Sequence, residues 1–210
     1  KAAYYYLKRQ WKSRQLTLTD EGTNGLDLHL TNEASVPCGG SLEVILLKEP
    51  NVVVARQEVE VHLAARGRLR QSVDQILGRF YDCNYVYRFG PPHHDVVIAT
   101  WYDEQRQVVS DAFHFIHRRE PSQAQHVALD ATVDRPDERS VQVTLRCDAF
   151  LHGARLEAEG WLPDDNYFHL PPERASCVTF RPLSDAPKVF RCTVDALNYE
   201  TGASLSERAR

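Results

Sequence analysis

Apolar and polar residues alternate through most of the chain, so that every second side chain is apolar. The clearest runs are Leu26-Leu28-Leu30, Leu42-Val44-Leu46, Val59-Val61-Leu63, Val127-Leu129-Ala131-Val133 and Leu156-Ala158-Gly160-Leu162. Successive side chains of a β-strand point to opposite faces of the sheet, so this pattern predicts strands with one buried and one solvated face. The interleaved polar residues favour antiparallel sheets over a parallel sheet buried on both faces. The sequence therefore predicts an all-β protein.

Short turn-forming segments separate the predicted strands. They are Thr23-Asn24-Gly25, Lys48-Glu49-Pro50-Asn51, Asp103-Glu104-Gln105-Arg106 and Arg135-Pro136-Asp137-Glu138. Each is short enough for a hairpin and rich in residues that favour turns. One more turn is predicted near the end of the chain, over residues 198–202.

Two segments carry helical patterns instead. Ala3, Tyr4, Leu7 and Trp11 follow one another in steps that place them on one side of a helix. Residues 72–80 begin with a Ser-x-x-Gln capping pattern, followed by two apolar residues and a glycine. This second pattern predicts a single helical turn lying over the end of a sheet.

The length of 210 residues suits two sandwich domains of about 100 residues each. A polar stretch with a proline, at 118–123, separates two alternating series and is the predicted boundary. The predicted organisation is a helix with its linker over 1–14, an immunoglobulin-like antiparallel β-sandwich over 15–120, and a second such sandwich over 121–210.

Charge and hydropathy exclude two kinds of partner. The formal net charge of −4 at pH 7 shows no basic excess, so nucleic acid is not an expected partner. The longest apolar runs fall far short of the roughly 20 residues that cross a bilayer, so no membrane-spanning segment is expected. We expect a soluble protein. The excess of Arg over Lys is typical of GC-rich bacterial genomes and favours a bacterial cytoplasm or periplasm.

The five cysteines are odd in number and form no Cys-x-x-Cys pair, so they indicate neither a zinc site nor a complete disulfide framework. Cys147 and Cys192 each continue an alternating apolar series, which is typical of small buried side chains. An immunoglobulin-type bridge between these two cysteines stays open as an alternative, because Trp161 lies between them in sequence.

The sequence offers few candidate catalytic or metal-binding residues. A retaining glycosidase needs two carboxyl groups about 5 Å apart, and the acidic residues here fall in predicted turns and on polar strand faces. The run 91–95 offers two histidines and an aspartate, but neighbouring side chains diverge on an extended backbone, which favours a solvated loop over a metal site. Nucleotide and nucleophile-elbow motifs are absent from the sequence. We therefore predict no catalytic residue, no metal and no cofactor.

An aromatic set is the place where binding could occur. If Tyr81, Tyr85, Tyr87 and Phe89 lay on one strand, their odd spacing would give a continuous aromatic face, with Trp101 and Tyr102 at a hairpin end downstream. Such rings can stack on sugars, and they can equally fill a core. Packing is the favoured interpretation. The candidate sugar contacts are Tyr85, Tyr87, Trp101 and Tyr102.

Three segments resemble the β-mannosidases of glycoside hydrolase family 2. The opening Lys-Ala-x-Tyr-Tyr-x-Leu-Lys-Arg run, at 1–9, is similar to the segment that leaves the catalytic barrel of that family. The run 18–26 resembles the first strand and turn of its penultimate domain. The run 164–173 is similar to the Asp-Asn-Tyr-Phe-x-Leu-x-Pro-Gly-Glu pattern of its last domain, with Pro172 where the family usually has glycine.

The resemblance implies a non-catalytic, C-terminal, two-sandwich portion of a longer, retaining enzyme that removes terminal β-mannose. This portion is expected to support the catalytic barrel, and a loop at the rim of the substrate pocket is a further expected role. Both catalytic glutamates of the family would lie upstream of Lys1. The expected partners are the catalytic barrel of the same polypeptide and its β-mannoside or manno-oligosaccharide substrate. Part of the N-terminal helix, which would face the barrel, should then be uncovered in this chain.

Two further functions remain open: a carbohydrate-binding module and an adhesion-type pair of domains with a protein ligand. A carbohydrate-binding module requires a row of solvent-exposed aromatic rings, whereas protein adhesion requires an exposed apolar patch without such a row. Side-chain exposure therefore discriminates between them.

Overall fold

The fold is that of a computed structural model, which describes residues 1–116, 127–183 and 189–206, the side chains of 200 and 201 excepted. The chain divides into two compact units. The N-terminal unit is Lys8–Arg119, and the C-terminal unit is Glu120–Arg210 together with Lys1–Leu7. The predicted boundary at 118–123 lies outside the described residues.

The N-terminal unit is a sandwich of two antiparallel sheets. Its elements are β1 (Arg14–Asp20), β2 (Leu26–Asn32), β3 (Cys38–Lys48), β4 (Val52–Leu63), β5 (Arg68–Ser72), α2 (Val73–Leu77), β6 (Val96–Tyr102) and β7 (Val108–Phe115). In the part of this unit that the structure describes, one sheet has the order β1-β2-β5 and the other β4-β3-β6-β7. The predicted alternation is seen in β2 and in the second half of β4, which cover the core with one face. In β3 the expectation of one solvated face is wrong for residues 44–47, because four consecutive side chains are buried there.

A single core joins the two sheets of the N-terminal unit. Its fully buried members include Leu28 and Leu30 from the first sheet, and Leu42, Val44 and Trp101 from the second. Gly40 marks the closest backbone approach beside this core, because a Cβ atom there would lie 1.9 Å from the carbonyl oxygen of Tyr102. No side chain fits at Gly40 without moving β6.

The C-terminal unit is a second antiparallel sandwich. Its strands are β8 (Leu129–Asp137), β9 (Ser140–Cys147), β10 (Leu151–Glu157), β11 (Trp161–Pro163), β12 (Phe168–Leu170), β13 (Ser176–Pro182), β14 (Arg191–Ala196) and β15 (Tyr199–Ser206). Over its described residues the sheet orders are β12-β10-β14-β15 and β11-β13-β9-β8. Phe150, Phe180, Phe190 and Trp161 contribute the large rings of its core.

Helix α1 (Ala2–Gln10) precedes β1. Tyr5 is buried, and its ring centroid lies 6.0 Å from that of Tyr167 in the C-terminal unit, to which both residues belong. Tyr4, Leu7 and Trp11 are exposed, the last with 81% of its surface accessible. The expectation that part of this helix is uncovered is confirmed.

The all-β class, the antiparallel sandwiches and the short N-terminal helix are confirmed. The helical turn predicted at 72–80 is α2. Its N-cap residue, Ser72, forms a reciprocal capping box with Gln75, and its C-cap residue, Gly78, adopts a left-handed conformation. All five cysteines carry free thiols, so the bridge between Cys147 and Cys192 is absent from this structure.

Three local expectations are wrong. The run 156–162 is two strands, because the chain turns at Gly160, where φ is +77°, between β10 and β11. The C-terminal segment predicted as a turn forms β15, which pairs with β14. The aromatic run at 81–89 is a loop between α2 and β6 and not a strand.

No helix among the described residues combines the length and the apolar character that a bilayer crossing requires.

Candidate functional site

The loop between α2 and β6, residues 78–95, carries the aromatic residues that the sequence singled out. It begins where Gly78 adopts a left-handed conformation, with φ of +71°. Asp74 of α2 then accepts a 3.1 Å hydrogen bond from the backbone N–H of Tyr81, which holds the first residues of the loop against the helix.

Asp82 gives this loop its shape. Its Oδ1 accepts a hydrogen bond from the N–H of Val86 at 2.8 Å, and its Oδ2 accepts from the N–H groups of Tyr87 and Arg88 at 3.0 Å each. Tyr85 and Arg88 have φ of +56° and +55°. A backbone wrapped around one carboxylate cannot pair as a strand, which is why the continuous aromatic face is not formed.

Three further contacts fix the loop to the connection between β1 and β2. The side-chain amide of Asn84 donates to Asp20 Oδ1 at 2.6 Å and to the carbonyl oxygen of Gly22 at 2.7 Å. The hydroxyl of Tyr87 donates to the carbonyl oxygen of Thr23 at 2.8 Å. The loop is therefore held at both its centre and its base, although most of it is exposed.

Three rings on this loop form an exposed group, which we name the aromatic platform: Phe80, Tyr87 and Phe89. Tyr87 lies nearly parallel to Phe89, with 15° between the ring planes and 5.6 Å between centroids. Phe80 meets Tyr87 edge-on at 5.6 Å. The exposed fractions are 59% for Phe80, 41% for Tyr87 and 75% for Phe89. A row of exposed aromatic rings is thus present.

The structure separates the four candidate sugar contacts. Trp101 is fully buried on β6, so it belongs to the core and offers no face to a ligand. Tyr102 is half-buried, with the guanidinium of Arg106 4.4 Å above its ring. Tyr85 is half-buried, and its hydroxyl donates to the carbonyl oxygen of Gly90 at 2.8 Å. Of the four, only Tyr87 joins the aromatic platform.

Phe80 and Phe89 were not among the predicted contacts. For Phe89 the signal is Asp82, because an aspartate readily accepts hydrogen bonds from the next backbone N–H groups. That arrangement turns the following side chains outward. Phe80 precedes Asp82, and no such signal indicates it.

The base of the loop encloses buried polar groups. His94, expected in a solvated loop, is buried, and this burial lowers its imidazole pKa to about 4. Burial likewise raises the pKa of the Cys83 thiol and of the Asp74 carboxyl group, and Cys83 lies 3.9 Å from Asp74 Oδ1. At neutral pH the imidazole and the thiol are uncharged, so these groups pack as part of the core.

Glu21, Asp27 and His29 form the cluster of possible metal ligands that the described residues contain. Arg70 already supplies a positive charge there: its Nε donates to Asp27 Oδ2 at 2.6 Å, and its guanidinium lies 3.8 Å from Glu21 Oε2. Thr19 donates to Glu21 Oε1 at 2.6 Å. Since an arginine neutralises both carboxylates, we assign no metal to this cluster.

The run 164–173 is structural in character. Asn166 is buried and bonds both backbone groups of Leu156, accepting from its N–H at 2.8 Å and donating to its carbonyl oxygen at 2.7 Å. Phe168 and Leu170 are buried in the core of the C-terminal unit. At the position where the resembled pattern has Gly-Glu, the left-handed backbone falls on Glu173, with φ of +63°. The turn is therefore formed despite Pro172.

The described residues thus define a class of protein by fold: two antiparallel β-sandwiches with a short N-terminal helix and an ordered aromatic loop. No family model and no curated protein matches the sequence. A β-D-mannosidase from Dictyoglomus thermophilum is similar in structure, with a TM-score of 0.73 and 14% identity, over 95% of this chain and 23% of that one. At this identity the likeness shows a shared fold.

Two further structures match with much lower TM-scores. Red sea bream transglutaminase gives 0.35 at 14% identity, over 99% of this chain and 33% of that one. A glycosyl hydrolase family 2 member from Bacteroides cellulosilyticus gives 0.29 at 12% identity, over 87% of this chain and 24% of that one. Neither score indicates a common fold. The chain spans about a quarter of the length of the mannosidase.

Proposed function

We propose that this chain is a non-catalytic β-sandwich portion of a family 2 glycoside hydrolase, and that the parent enzyme is a retaining β-mannosidase. The observation that carries the proposal is the structural likeness over 95% of the chain to a β-D-mannosidase. The three resembling sequence segments support it independently, because they occur in the same order along the chain.

The contacts of those segments agree with a supporting role. Asn166 ties the run 164–173 to β10, and Tyr5 of α1 packs on Tyr167 of that same run. The run 164–173 and Tyr5 of α1 thus contribute to holding the C-terminal unit together. In the described residues, the carboxyl group whose pKa is raised is Asp74, and its oxygen faces the N–H of Tyr81.

The partner in this proposal is the catalytic domain of the same polypeptide. The surface proposed to pack on it consists of Tyr4 and Leu7 of α1 and of Trp11, which directly follows the helix. The substrate of the parent would be a terminal β-linked mannose. This chain would stabilise the catalytic domain and would not form its active site.

The test compares the full-length parent with residues 1–210 alone, using 4-nitrophenyl β-mannoside and, as the matched control substrate, 4-nitrophenyl β-glucoside. The parent should hydrolyse the mannoside with retained anomeric configuration, while the isolated chain should give no turnover above the buffer rate. A parent active on the glucoside alone would contradict the mannosidase assignment. Turnover by the isolated chain that survives repeated purification would contradict its non-catalytic role.

A further inference from the structure

The aromatic platform is exposed although its loop is firmly held. Asp82 accepts hydrogen bonds from the N–H groups of Val86, Tyr87 and Arg88, and Tyr87 is anchored to Thr23 through its hydroxyl. The rings are therefore oriented before any ligand arrives, and a ligand that stacks on them need not order the loop. Such preorganisation removes a main cost of binding.

Backbone strain accompanies this arrangement. Tyr85 and Arg88 both adopt positive φ without being glycine, which is unfavourable for residues with a Cβ atom. The exposed side chains gain little from packing in return, since Phe89 is 75% accessible and belongs to neither core. A strained backbone that displays apolar rings to water is typical of a binding surface.

The size of the platform fits a small ligand. An aromatic side chain has roughly 200 Å² of surface, so the exposed parts of three rings come to a few hundred Å². A stable protein interface buries about 800 Å² on each partner, which is well above this area. The area disfavours a second protein as the occupant.

Two arginines near the aromatic platform indicate which chemical class of ligand it would bind. Arg79 and Arg88 are exposed and neighbour the platform residues in sequence. The guanidinium of Arg79 lies 4.6 Å from the Tyr81 ring centroid, and its Nε donates to the Tyr81 hydroxyl at 2.6 Å. Guanidinium groups donate several hydrogen bonds and suit a ligand with many oxygen acceptors. A nucleobase would also stack on such rings, but a chain with a net charge of −4 repels a phosphate backbone.

We infer that the aromatic platform of Phe80, Tyr87 and Phe89 binds the pyranose rings of a β-linked hexose chain. A pyranose has an apolar C–H face that lies on an aromatic ring and a rim of hydroxyl groups that the neighbouring arginines can bond. The site is open to solvent, since all three rings are exposed, so it suits a sugar within an extended chain better than an enclosed metabolite. The β-linkage of the chain and the choice of mannan depend on the proposed function.

The test is titration calorimetry of residues 1–210 with mannohexaose and with cellohexaose. Wild type should bind at least one of them, and Phe89→Ala and Phe80→Ala should each weaken that binding at least tenfold. Phe89→Tyr, which keeps a ring, should bind within about threefold of wild type. Trp11→Ala is the matched control, because it removes an equally exposed aromatic ring from the same unit and should leave affinity unchanged.

Melting temperature and sedimentation equilibrium accompany each titration. Loss of sugar binding in a Phe89→Ala protein that melts like wild type supports the platform. Absence of binding to both hexasaccharides at millimolar concentration overturns it, as does binding that the Phe80 and Phe89 variants leave intact. A concentration-dependent dimer abolished by Phe89→Ala would overturn it in favour of a protein contact. The hydrolysis assay on the parent tests the proposed function separately, so either idea can fail alone.

Discussion

The carboxylate of Asp82 replaces the strand partners that the following backbone N–H groups would otherwise need. Three of these groups are satisfied by one side chain, so the loop keeps its turn without a neighbouring strand. Because no other group of the described loop is seen to accept these hydrogen bonds, the aspartate is the residue on which the orientation of Tyr87 and Phe89 depends.

Asp82→Ala should lower the free energy of unfolding by about 1–3 kcal/mol, because hydrogen bonds to a charged acceptor are stronger than the average. Chemical denaturation of residues 1–210 measures the change. Asp130→Ala removes an exposed carboxylate from β8 and serves as the control, with an expected change within about 0.5 kcal/mol. Equal stability of the two variants would show that water replaces Asp82 at little cost.

His94 should make stability depend on pH. Burial lowers its folded pKa to about 4, below the ordinary 6.5, so the unfolded chain takes up the proton more readily. Stability is then fully present above about pH 6.5 and falls as the pH drops toward 4. The charged and titratable neighbours are Asp95, His93 and His114.

Between pH 7 and pH 5 the predicted loss is about 2 kcal/mol, from the linkage of these two pKa values. The raised pKa of Asp74 acts in the opposite direction, because protonation relieves its burial as the pH falls. Denaturation of wild type and His94→Gln at both pH values isolates the histidine contribution. A variant that loses as much stability as wild type over this interval would rule out His94 as the cause.

Helix α2 begins at a capping box in which Ser72 accepts from the N–H of Gln75 at 3.2 Å. Ser72→Ala should cost about 1 kcal/mol, since an orphan N–H at the helix start loses its acceptor. Ser204→Ala, an exposed serine on β15, is the control for the substitution itself. Denaturation midpoints at equal m-value give the comparison, and identical midpoints would mean that the cap contributes nothing.

The sequence predicted the secondary structure correctly where a single physical effect determined it. The alternation in β2 and β4 follows from burial of one sheet face, and the caps of α2 follow from its exposed backbone groups. The secondary-structure prediction failed where a local backbone conformation or hydrogen bond interrupted the alternating apolar pattern. A left-handed glycine divided the run 156–162 into β10 and β11. Hydrogen bonds to Asp82 converted an alternating aromatic run into a loop.

The candidate site was therefore only partly predictable. Tyr87 could be named from its ring chemistry, but its grouping with Phe80 and Phe89 depends on backbone angles that alternation does not encode. Trp101 shows the opposite case, because its place on a buried strand removes a ring that sequence alone leaves available. Ring type predicts what a residue can bind, and burial decides whether it can do so.

The two units each have a hydrophobic core of their own, in which both sheets of the sandwich take part. Helix α1 differs from these cores, because it buries Tyr5 and leaves Tyr4 and Leu7 accessible, and Trp11 directly after it is accessible too. An exposed tryptophan directly after a short helix gains little in this chain alone. Its presence is explained if a further domain of the parent covers that side, as we propose.

Trp11→Ala tests this explanation when it is made both in residues 1–210 and in the full-length parent. In the isolated chain the substitution should change the free energy of unfolding by no more than about 0.5 kcal/mol, because the side chain is 81% exposed. In the parent it should cost about 3–5 kcal/mol if the catalytic domain buries the indole fully. Tyr5→Ala is the matched control, because Tyr5 is buried within the chain itself and its replacement should destabilise both forms alike.

Melting temperatures of the four variants and of the two wild-type forms provide the comparison. An equally small effect of Trp11→Ala in both forms would mean that α1 keeps this face in water in the whole enzyme, and the proposed contact with the catalytic domain would have to be abandoned.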